Sequence, residues 1–198
     1  MKKFLVCAFA GVLLSSCEIE LDNWFDLQSW ITYHIKAGKH LSTLQLATFD
    51  GTELRFLAEF NNSAIYQTKD TVNQGDINKL MGFSDCNSQH HGNSARFGWS
   101  WDDYHQQLKI YAYAYKDGTI QKKYIKPVEL NTIYEYRIRI ERRKYQFILD
   151  GEMVELGRGC TNTRGMLRYY LFPYFGGDEK APHDITIRIK ELKNGASN

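Results

Sequence analysis

The feature that most constrains this chain is an alternation of apolar and polar side chains with a period of two residues. It is clearest in Leu108-Lys-Ile-Tyr-Ala-Tyr-Ala-Tyr115 and in Tyr134-Glu-Tyr-Arg-Ile-Arg-Ile-Glu141. Successive side chains of a β-strand point to opposite faces of the sheet, so this pattern is typical of strands with one buried face. Asp117-Gly118 and Asp150-Gly151 each follow such a stretch and are typical of hairpin turns. The sequence therefore predicts many short antiparallel strands.

Helix signals are weak by comparison. Only Asp76-Ile-Asn-Lys-Leu-Met81, just before Gly82, is compatible with a short helix. Elsewhere aromatic and β-branched residues recur between turn residues, and the aromatic content is 14%. We therefore predict an all-β protein, an antiparallel β-sandwich or jelly roll, with residues 31–198 forming one domain.

The N-terminus has the layout of an export signal. Lys2 and Lys3 precede an apolar run from Phe4 to Leu14, which is about half the ~20 apolar residues that a membrane-spanning helix needs. The following Leu14-Ser-Ser-Cys17 resembles the bacterial lipobox. That resemblance implies a signal peptide at 1–16, cleavage before Cys17, a lipid on its thiol and a tether over 17–30. The expected location is the bacterial cell envelope, anchored by lipid to the outer membrane. An ordinary secretory signal with a coincidental cysteine is the alternative.

The charge balance excludes one class of partner. The chain has 25 basic and 23 acidic residues, and loss of Lys2 and Lys3 with the signal leaves 23 of each. A balanced mature chain has no electrostatic signature of nucleic-acid binding, so no nucleic-acid partner is expected.

Of the four cysteines, only two are expected to remain unmodified in the processed protein. Cys7 leaves with the signal and Cys17 carries the lipid, so Cys86 and Cys160 remain. In an oxidising compartment these two either form a disulfide or stay as separate buried thiols, and sequence alone does not decide between the two.

Several short segments of the sequence resemble those of an uncharacterised family of bacterial envelope lipoproteins. They are Asp76-Ile-Asn-Lys-Leu80, Gly82-Phe-Ser-Asp85, His90-His91, Ser94-Ala-Arg-Phe-Gly-Trp99, Tyr174-Phe-Gly-Gly-Asp-Glu179 and Ala181-Pro-His-Asp-Ile185. The likeness spans about Ile35 to Leu192. It implies a concanavalin A-like jelly roll, similar to that of lectins, laminin-G-type modules and some polysaccharide-cleaving enzymes. Fold alone does not assign a function.

The candidate ligand-binding residues are aromatic and basic. Tyr111, Tyr113 and Tyr115 share one strand face, opposite Ile110 and the intervening alanines. The ladder is either a platform for sugar rings or the core face of the strand. The adjacent phrase adds Arg96 and Trp99 to the predicted ligand-binding set.

A polar loop, Asp85-Cys-Asn-Ser-Gln-His-His-Gly-Asn93, holds the candidate catalytic residues. His90 and His91 could act as bases, with Arg96 nearby, or the loop could simply hydrogen-bond to itself. A polysaccharide lyase or glycoside hydrolase is therefore the enzyme alternative to a binding protein. Jelly-roll endoglucanases carry a closely spaced acidic triplet on one strand, and this chain has none.

A second polar loop, before the last predicted strand, contains Asp178, Glu179 and Asp184. Carboxylates could coordinate calcium, and calcium is the only cofactor that the sequence suggests. A rigid structural turn is the alternative. Taken together, the sequence predicts an envelope lipoprotein that binds a carbohydrate or another envelope ligand. The remaining alternative is a structural, partner-binding lipoprotein.

Overall fold

The structure is a computed structural model that describes residues 29–43 and 45–192 of the 198-residue chain. Within these residues the chain is almost entirely β-structure, with eleven strands and two short 3-10 helices, Asn62–Ala64 and Thr71–Gly75. The strands are β1 Ile31–Ile35, β2 Glu53–Phe60, β3 Asn78–Ser84, β4 Ser94–Asp102, β5 Gln107–Lys116, β6 Thr119–Val128, β7 Ile133–Ile140, β8 Lys144–Leu149, β9 Glu152–Gly157, β10 Tyr170–Leu171 and β11 Ile185–Glu191.

The strands form two antiparallel sheets. One sheet has six strands in the order β1-β11-β2-β7-β8-β9, and the other has five in the order β10-β3-β4-β5-β6. Strands β7, β8 and β9 pair with their sequence neighbours, and so do β3, β4, β5 and β6. The prediction of an antiparallel β-sandwich is confirmed.

The core lies between the sheets and is built from the alternate residues that the sequence pattern marks as apolar. In β2 every second residue is buried, from Leu54 to Phe60. Phe97 of the five-stranded sheet makes edge contacts with Phe56 and Phe147 of the other sheet, with ring centres 6.0 and 5.3 Å apart. Interlocked aromatic side chains of this size supply much of the burial that stabilises such a sandwich.

The structure corrects the expectation of a short helix before Gly82. The segment Asp76–Met81 is not a helix, because it leads into and forms most of strand β3. Its central residues join a sheet ladder to β4, and this tertiary pairing overrides a weak helical pattern. Residues 1–16, Cys17 and most of the tether lie outside the described residues. Among the residues that are described, no helix is long and apolar enough to cross a membrane.

Candidate functional site

The outer surface of the five-stranded sheet carries most of the residues that the sequence singled out. We call it the tyrosine face and define it by Lys79, Arg96, Tyr111, Tyr113 and Tyr115. Ile110, Ala112 and Ala114 of the same strand are fully buried in the core between the sheets. Because strand side chains alternate, the tyrosines must point the other way. The ladder is therefore not the core face of β5, which removes that alternative.

Sheet register brings the basic and aromatic groups into one row. Arg96 of β4 lies directly opposite Tyr113 of β5, and Tyr113 lies opposite Lys122 of β6. Opposed residues on one sheet face have Cβ atoms about 5 Å apart, so their side chains contact each other. On the other side of Arg96 the row continues with Gly82 of β3.

The absence of a side chain at Gly82 leaves room for the side chain of Arg96. A Cβ atom at position 82 would lie 2.7 Å from Cγ of Arg96, a distance that real Cβ atoms do not show. The guanidinium continues over this gap, and its Nη2 donates a 2.9 Å hydrogen bond to the carbonyl oxygen of Phe172. Its Nε is buried and has no hydrogen-bond partner among the described residues. Arg96 is 9% exposed, so it lies at the floor of the face with unused donor capacity.

Lys79 covers the centre of the ladder. Its Nζ lies 4.9 Å from the centre of the Tyr113 ring and donates a 2.7 Å hydrogen bond to the carbonyl oxygen of Ile77. Burial, helped by the positive charge of Arg96, lowers the pKa of Lys79 to about 8. Burial also lowers the pKa of Arg96 to about 10, which leaves the guanidinium charged at neutral pH.

Trp99 is not part of this surface. Its side chain is completely buried and packs against Phe60, Tyr66 and Phe175 in the core. The prediction that Trp99 binds ligand is wrong, because Trp99 lies on the same face of β4 as Phe97, which packs in the core. Arg96 lies on the opposite face. The other four residues of the predicted ligand-binding set do share one face.

The two histidines border the same face. The rings of His90 and His91 are 4.2 Å apart, and the His91 ring lies 5.3 Å from that of Tyr115. His90 is fixed by Tyr169, whose hydroxyl contacts both its backbone amide, at 3.0 Å, and its Nδ1, at 3.2 Å. Burial, with smaller effects from His91 and Arg96, lowers the pKa of His90, so its imidazole is neutral at pH 7. The loop thus hydrogen-bonds internally and still presents His91 to solvent.

Grooves extend the tyrosine face at two places. One, of about 410 Å³, includes His90, Arg96, Tyr169 and Tyr174 in its lining. The other, of about 650 Å³, includes Tyr111 together with Ser100, Lys109 and Tyr104. Each groove shares a residue with the face, Arg96 in the first and Tyr111 in the second. The geometry suits an extended ligand better than a single small molecule.

The two sheets differ sharply in charge. The strands of the six-stranded sheet contain six acidic and six basic residues, whereas those of the five-stranded sheet contain seven basic residues and one acidic residue, Asp102. The seven are Lys79, Arg96, Lys109, Lys116, Lys122, Lys123 and Lys126. Asp102 lies at the end of β4 and binds Lys109 and His105. The centre of the tyrosine face therefore has cations without carboxylates on its own strands.

Behind the histidine loop lies a buried ionic cluster. The carboxylate of Asp85 accepts hydrogen bonds from Arg158 Nε at 2.5 Å, Arg168 Nε at 2.7 Å and the Tyr145 hydroxyl at 2.8 Å. Next to it, Cys86 and Cys160 form a disulfide with their Cα atoms 5.7 Å apart. These contacts tie the start of the histidine loop to the segment that follows β9, so the loop is held on a rigid base.

The three candidate calcium ligands do not form a common site. Glu179 accepts hydrogen bonds from the backbone amides of Lys69 and Asp70, and Asp184 binds Lys36 Nζ at 2.7 Å. Their carboxylates are occupied by donors of the protein itself, and neither joins Asp178 in a ligand cluster within the described ranges 29–43 and 45–192. These contacts do not support calcium at Asp178, Glu179 and Asp184, and they fit the structural-turn alternative.

Sequence reasoning missed Lys79, Lys122, Tyr169 and Tyr174 as members or neighbours of the site. Lys122 carries a recoverable signal, because hairpin pairing from the Asp117-Gly118 turn places it near Tyr113. Lys79 and Tyr169 come from distant segments, and only the tertiary fold brings them to this surface.

No protein-family profile matches the chain, and no curated protein matches it. Solved structures do. The alginate lyase AlyC3 is similar with a TM-score of 0.54 and 12% identity, over 84% of this chain and 76% of that one. The laminarinase catalytic domain from Thermotoga maritima MSB8 is similar with a TM-score of 0.52 and 10% identity, over 83% of this chain and 78% of that one. SCLam, a non-specific endo-beta-1,3(4)-glucanase from family GH16, is similar with a TM-score of 0.52 and 8% identity, over 82% of this chain and 69% of that one. At such identities the likeness concerns architecture, and it shows that this chain has the concanavalin A-like jelly-roll fold.

Proposed function

We propose that this protein binds a carbohydrate chain along the tyrosine face. The observation that carries the proposal is the placement of Tyr111, Tyr113 and Tyr115 on the outer side of β5, with Arg96 and Lys79 among them. Aromatic rings pack against the apolar C–H faces of sugars, and the basic side chains hydrogen-bond to polar substituents. The solved structures of similar fold include two glucan-cleaving enzymes and an alginate lyase, which supports a glycan as the ligand.

The length of the ladder supports an oligosaccharide. Tyr111 and Tyr115 are four residues apart on a strand that rises ~3.4 Å per residue, so their Cα atoms are separated by about 14 Å. Both rings are partly exposed, whereas Tyr113 between them is 7% exposed and forms the floor. A ligand that contacts both exposed rings must contain more than one sugar ring.

A glycan array probed with the full-length protein tests this proposal. We expect binding that strengthens with chain length up to the span of the ladder, and that is weakened in Tyr111→Ala and Tyr115→Ala. Retained binding in both variants, or no binding to any glycan, would contradict the proposal.

A polysaccharide lyase is the second candidate, because the structure places His91, Tyr115, Tyr113 and Arg96 side by side. In a β-elimination, a base takes the proton from the carbon next to a sugar carboxylate, the glycosidic C–O bond breaks as a C=C bond forms, and an acid protonates the leaving oxygen. His91 has the access for the first role, a tyrosine hydroxyl suits the last, and Arg96 would neutralise the carboxylate. Hydrolysis is less well supported, since it requires two carboxyl groups and the strands of this sheet offer only Asp102.

Incubation of the protein with uronate polymers separates catalysis from binding. A lyase generates new unsaturated chain ends that absorb in the ultraviolet, and His91→Ala and Arg96→Gln should abolish that signal. Binding without any new chain ends would leave the protein as a binding module only.

We also propose that the protein is a lipoprotein of the bacterial outer membrane, anchored through Cys17. The support is the order of charged, apolar and small residues that ends at Leu14-Ser-Ser-Cys17. Two or three acyl chains would hold the protein durably, whereas one chain alone binds only marginally. Cys17→Ser should give a protein that takes up no labelled fatty acid and leaves the membrane fraction. Quantitative retention and labelling of that variant would disprove the anchor.

A further inference from the structure

We infer that the tyrosine face selects an anionic glycan, and that Arg96 and Lys79 together form the subsite for a carboxylate or sulfate group of the sugar chain. This inference rests on the proposed carbohydrate binding and specifies the chemical class of the ligand.

The first observation is the unsatisfied guanidinium. Buried polar groups almost always have a hydrogen-bond partner, and a buried charge without a counterion is costly. Arg96 is 9% exposed, its Nε has no partner, and its Nη2 binds only a neutral carbonyl oxygen. No ion pair within the described part of the chain involves it. An anionic group in the groove that Arg96 lines would supply the missing counterion.

The second observation is the arrangement of the other cations. Lys79 lies over Tyr113 beside Arg96, and Lys122 lies opposite Tyr113 on the next strand. Their mutual repulsion is large enough to influence the pKa of Lys79, since both Arg96 and Lys122 lower it. A sheet that only needed structural stability would gain from acidic partners here, as the balanced six-stranded sheet has. The carboxylate of Asp76 acts on Lys79 in the opposite direction, but less strongly than burial and Arg96 do. Three converging cations that form no ion pair within the described part of the chain are typical of an anion-binding surface.

The third observation argues against a nucleic acid as the polyanion. Aromatic rings with basic side chains also bind single strands, but such proteins carry a broad basic groove. Here Lys109 is neutralised by Asp102 at one end of the face, and Lys126 binds Asp150 at the sheet edge. Arg96, Lys79 and Lys122 alone form the central row of this face, and a row of three cations suits a chain with sparse acidic groups.

Matched oligosaccharide pairs test the inference. We would measure binding of the full-length protein to oligomers of galacturonate, mannuronate and glucuronate, each beside its carboxyl-reduced neutral counterpart. A sulfated galactan oligomer and oligo(dT) complete the set. We expect at least one acidic oligomer to bind about 10- to 100-fold more tightly than its neutral partner, as for hydrogen bonds to a charged group. Binding of the sulfated oligomer alone would support the inference and identify the group as sulfate.

Two variants and one matched control locate the subsite. Arg96→Gln should reduce the affinity for the acidic oligomer to that of its neutral partner, without changing the affinity for the neutral one. Because Arg96 is buried and its loss could unfold the sheet, Lys122→Gln provides an exposed second variant, with an expected loss of about two- to fivefold. Lys123→Gln is the control, because Lys123 is also exposed but lies opposite Ala112, on the other parity of β6. It should leave binding unchanged.

The failures are distinguishable. Equal binding of acidic and neutral partners would overturn the anionic subsite and leave the carbohydrate-binding proposal intact. Equal losses in Lys122→Gln and Lys123→Gln would overturn the subsite as well, because they would indicate unspecific attraction. Tighter binding of oligo(dT) than of every glycan would overturn both proposals, and so would an absence of binding throughout the set.

Discussion

Lys79 holds its ammonium nitrogen 4.9 Å from the centre of the Tyr113 ring, a cation–π contact at the middle of the tyrosine face. The pKa of Lys79 is lowered to about 8, mainly by burial and also by repulsion from Arg96 and Lys122, while Asp76 acts in the opposite direction. Burial also raises the pKa of Tyr113, so the phenol stays neutral where Lys79 titrates. The charge of the face therefore changes near pH 8 through Lys79.

This titration predicts a pH-dependent affinity for an anionic glycan. Below pH 8 Lys79 is protonated and attracts the anion, and the affinity should fall as the pH rises through about 8. A bound anion favours the charged form, so binding between pH 8 and 9 should take up protons. Calorimetry in two buffers of different ionisation enthalpy measures that uptake. Lys79→Gln should remove both the uptake and the fall, and a wild-type affinity that is flat from pH 7 to 9.5 would contradict the prediction.

The exposed ladder tyrosines should matter for binding more than for stability. Tyr111→Ala and Tyr115→Ala should each weaken glycan binding by ~1–3 kcal/mol, if sugar packing resembles the stacking of nucleic-acid bases on aromatic rings. Tyr113→Ala is less diagnostic, because this ring is 7% exposed and its loss also affects packing. Ile133→Ala, at an exposed position of the other sheet, serves as the control for both assays. A sharply lower melting temperature with unchanged binding in the first two variants would place these rings in a structural role.

Trp99 should behave as a core residue. Its side chain is completely buried against Phe60 and Phe175, so Trp99→Ala should lower the free energy of unfolding by ~3–5 kcal/mol. Urea denaturation measures this loss, and Trp99→Phe should cost less because it leaves a smaller cavity. If Trp99→Ala unfolded at the wild-type urea concentration, the packing described for this ring would be incorrect.

The Asp85 cluster should make the protein sensitive to acid. Burial alone would raise the pKa of Asp85, but hydrogen bonds from Arg158 and Arg168 outweigh it and hold the pKa below its usual value. Stability from this carboxylate is therefore present above the unfolded pKa of about 3.9 and is lost as the pH falls through the lower folded value.

The corresponding variant is Asp85→Asn. It leaves two buried guanidiniums without a counterion, and we expect a loss of ~3–5 kcal/mol at neutral pH. Asp150→Asn, which removes an exposed partner of Lys126, should change the unfolding free energy little. Similar effects of the two substitutions on chemical denaturation would show that the buried cluster is not a special source of stability.

The Cys86–Cys160 bridge should contribute substantially to stability, because it links segments 74 residues apart. A closed loop of that size reduces the entropy of the unfolded chain, and native bridges typically stabilise by ~2–4 kcal/mol. The purified protein should contain no alkylatable thiol at these positions under denaturing, non-reducing conditions, and a reductant should lower its melting temperature. Two free thiols without reductant would contradict the bridge.

The period-two pattern was sufficient to predict the all-β architecture. Alternation such as that of Leu108–Tyr115 is a local property, and it determines the strand and which of its side chains share a face. The same pattern places Trp99 on the same strand face as Phe97, so its burial could be predicted from the sequence. Assigning Trp99 to a ligand site ignored this alternation. The histidine loop and the two cysteines that remain after processing were visible too, but their contacts were not.

Tertiary structure decided which side of β5 faces solvent and what lies beside it. The alternation of tyrosine and alanine is compatible with either face being buried, and only the packing of the second sheet against Ala112 and Ala114 resolves it. The approach of Lys79 to Tyr113, the passage of Arg96 over Gly82 and the pairing of Cys86 with Cys160 join segments far apart in sequence. Those contacts depend on sheet order and register. Register is set by how the whole sandwich buries its core, and no local pattern contains that information.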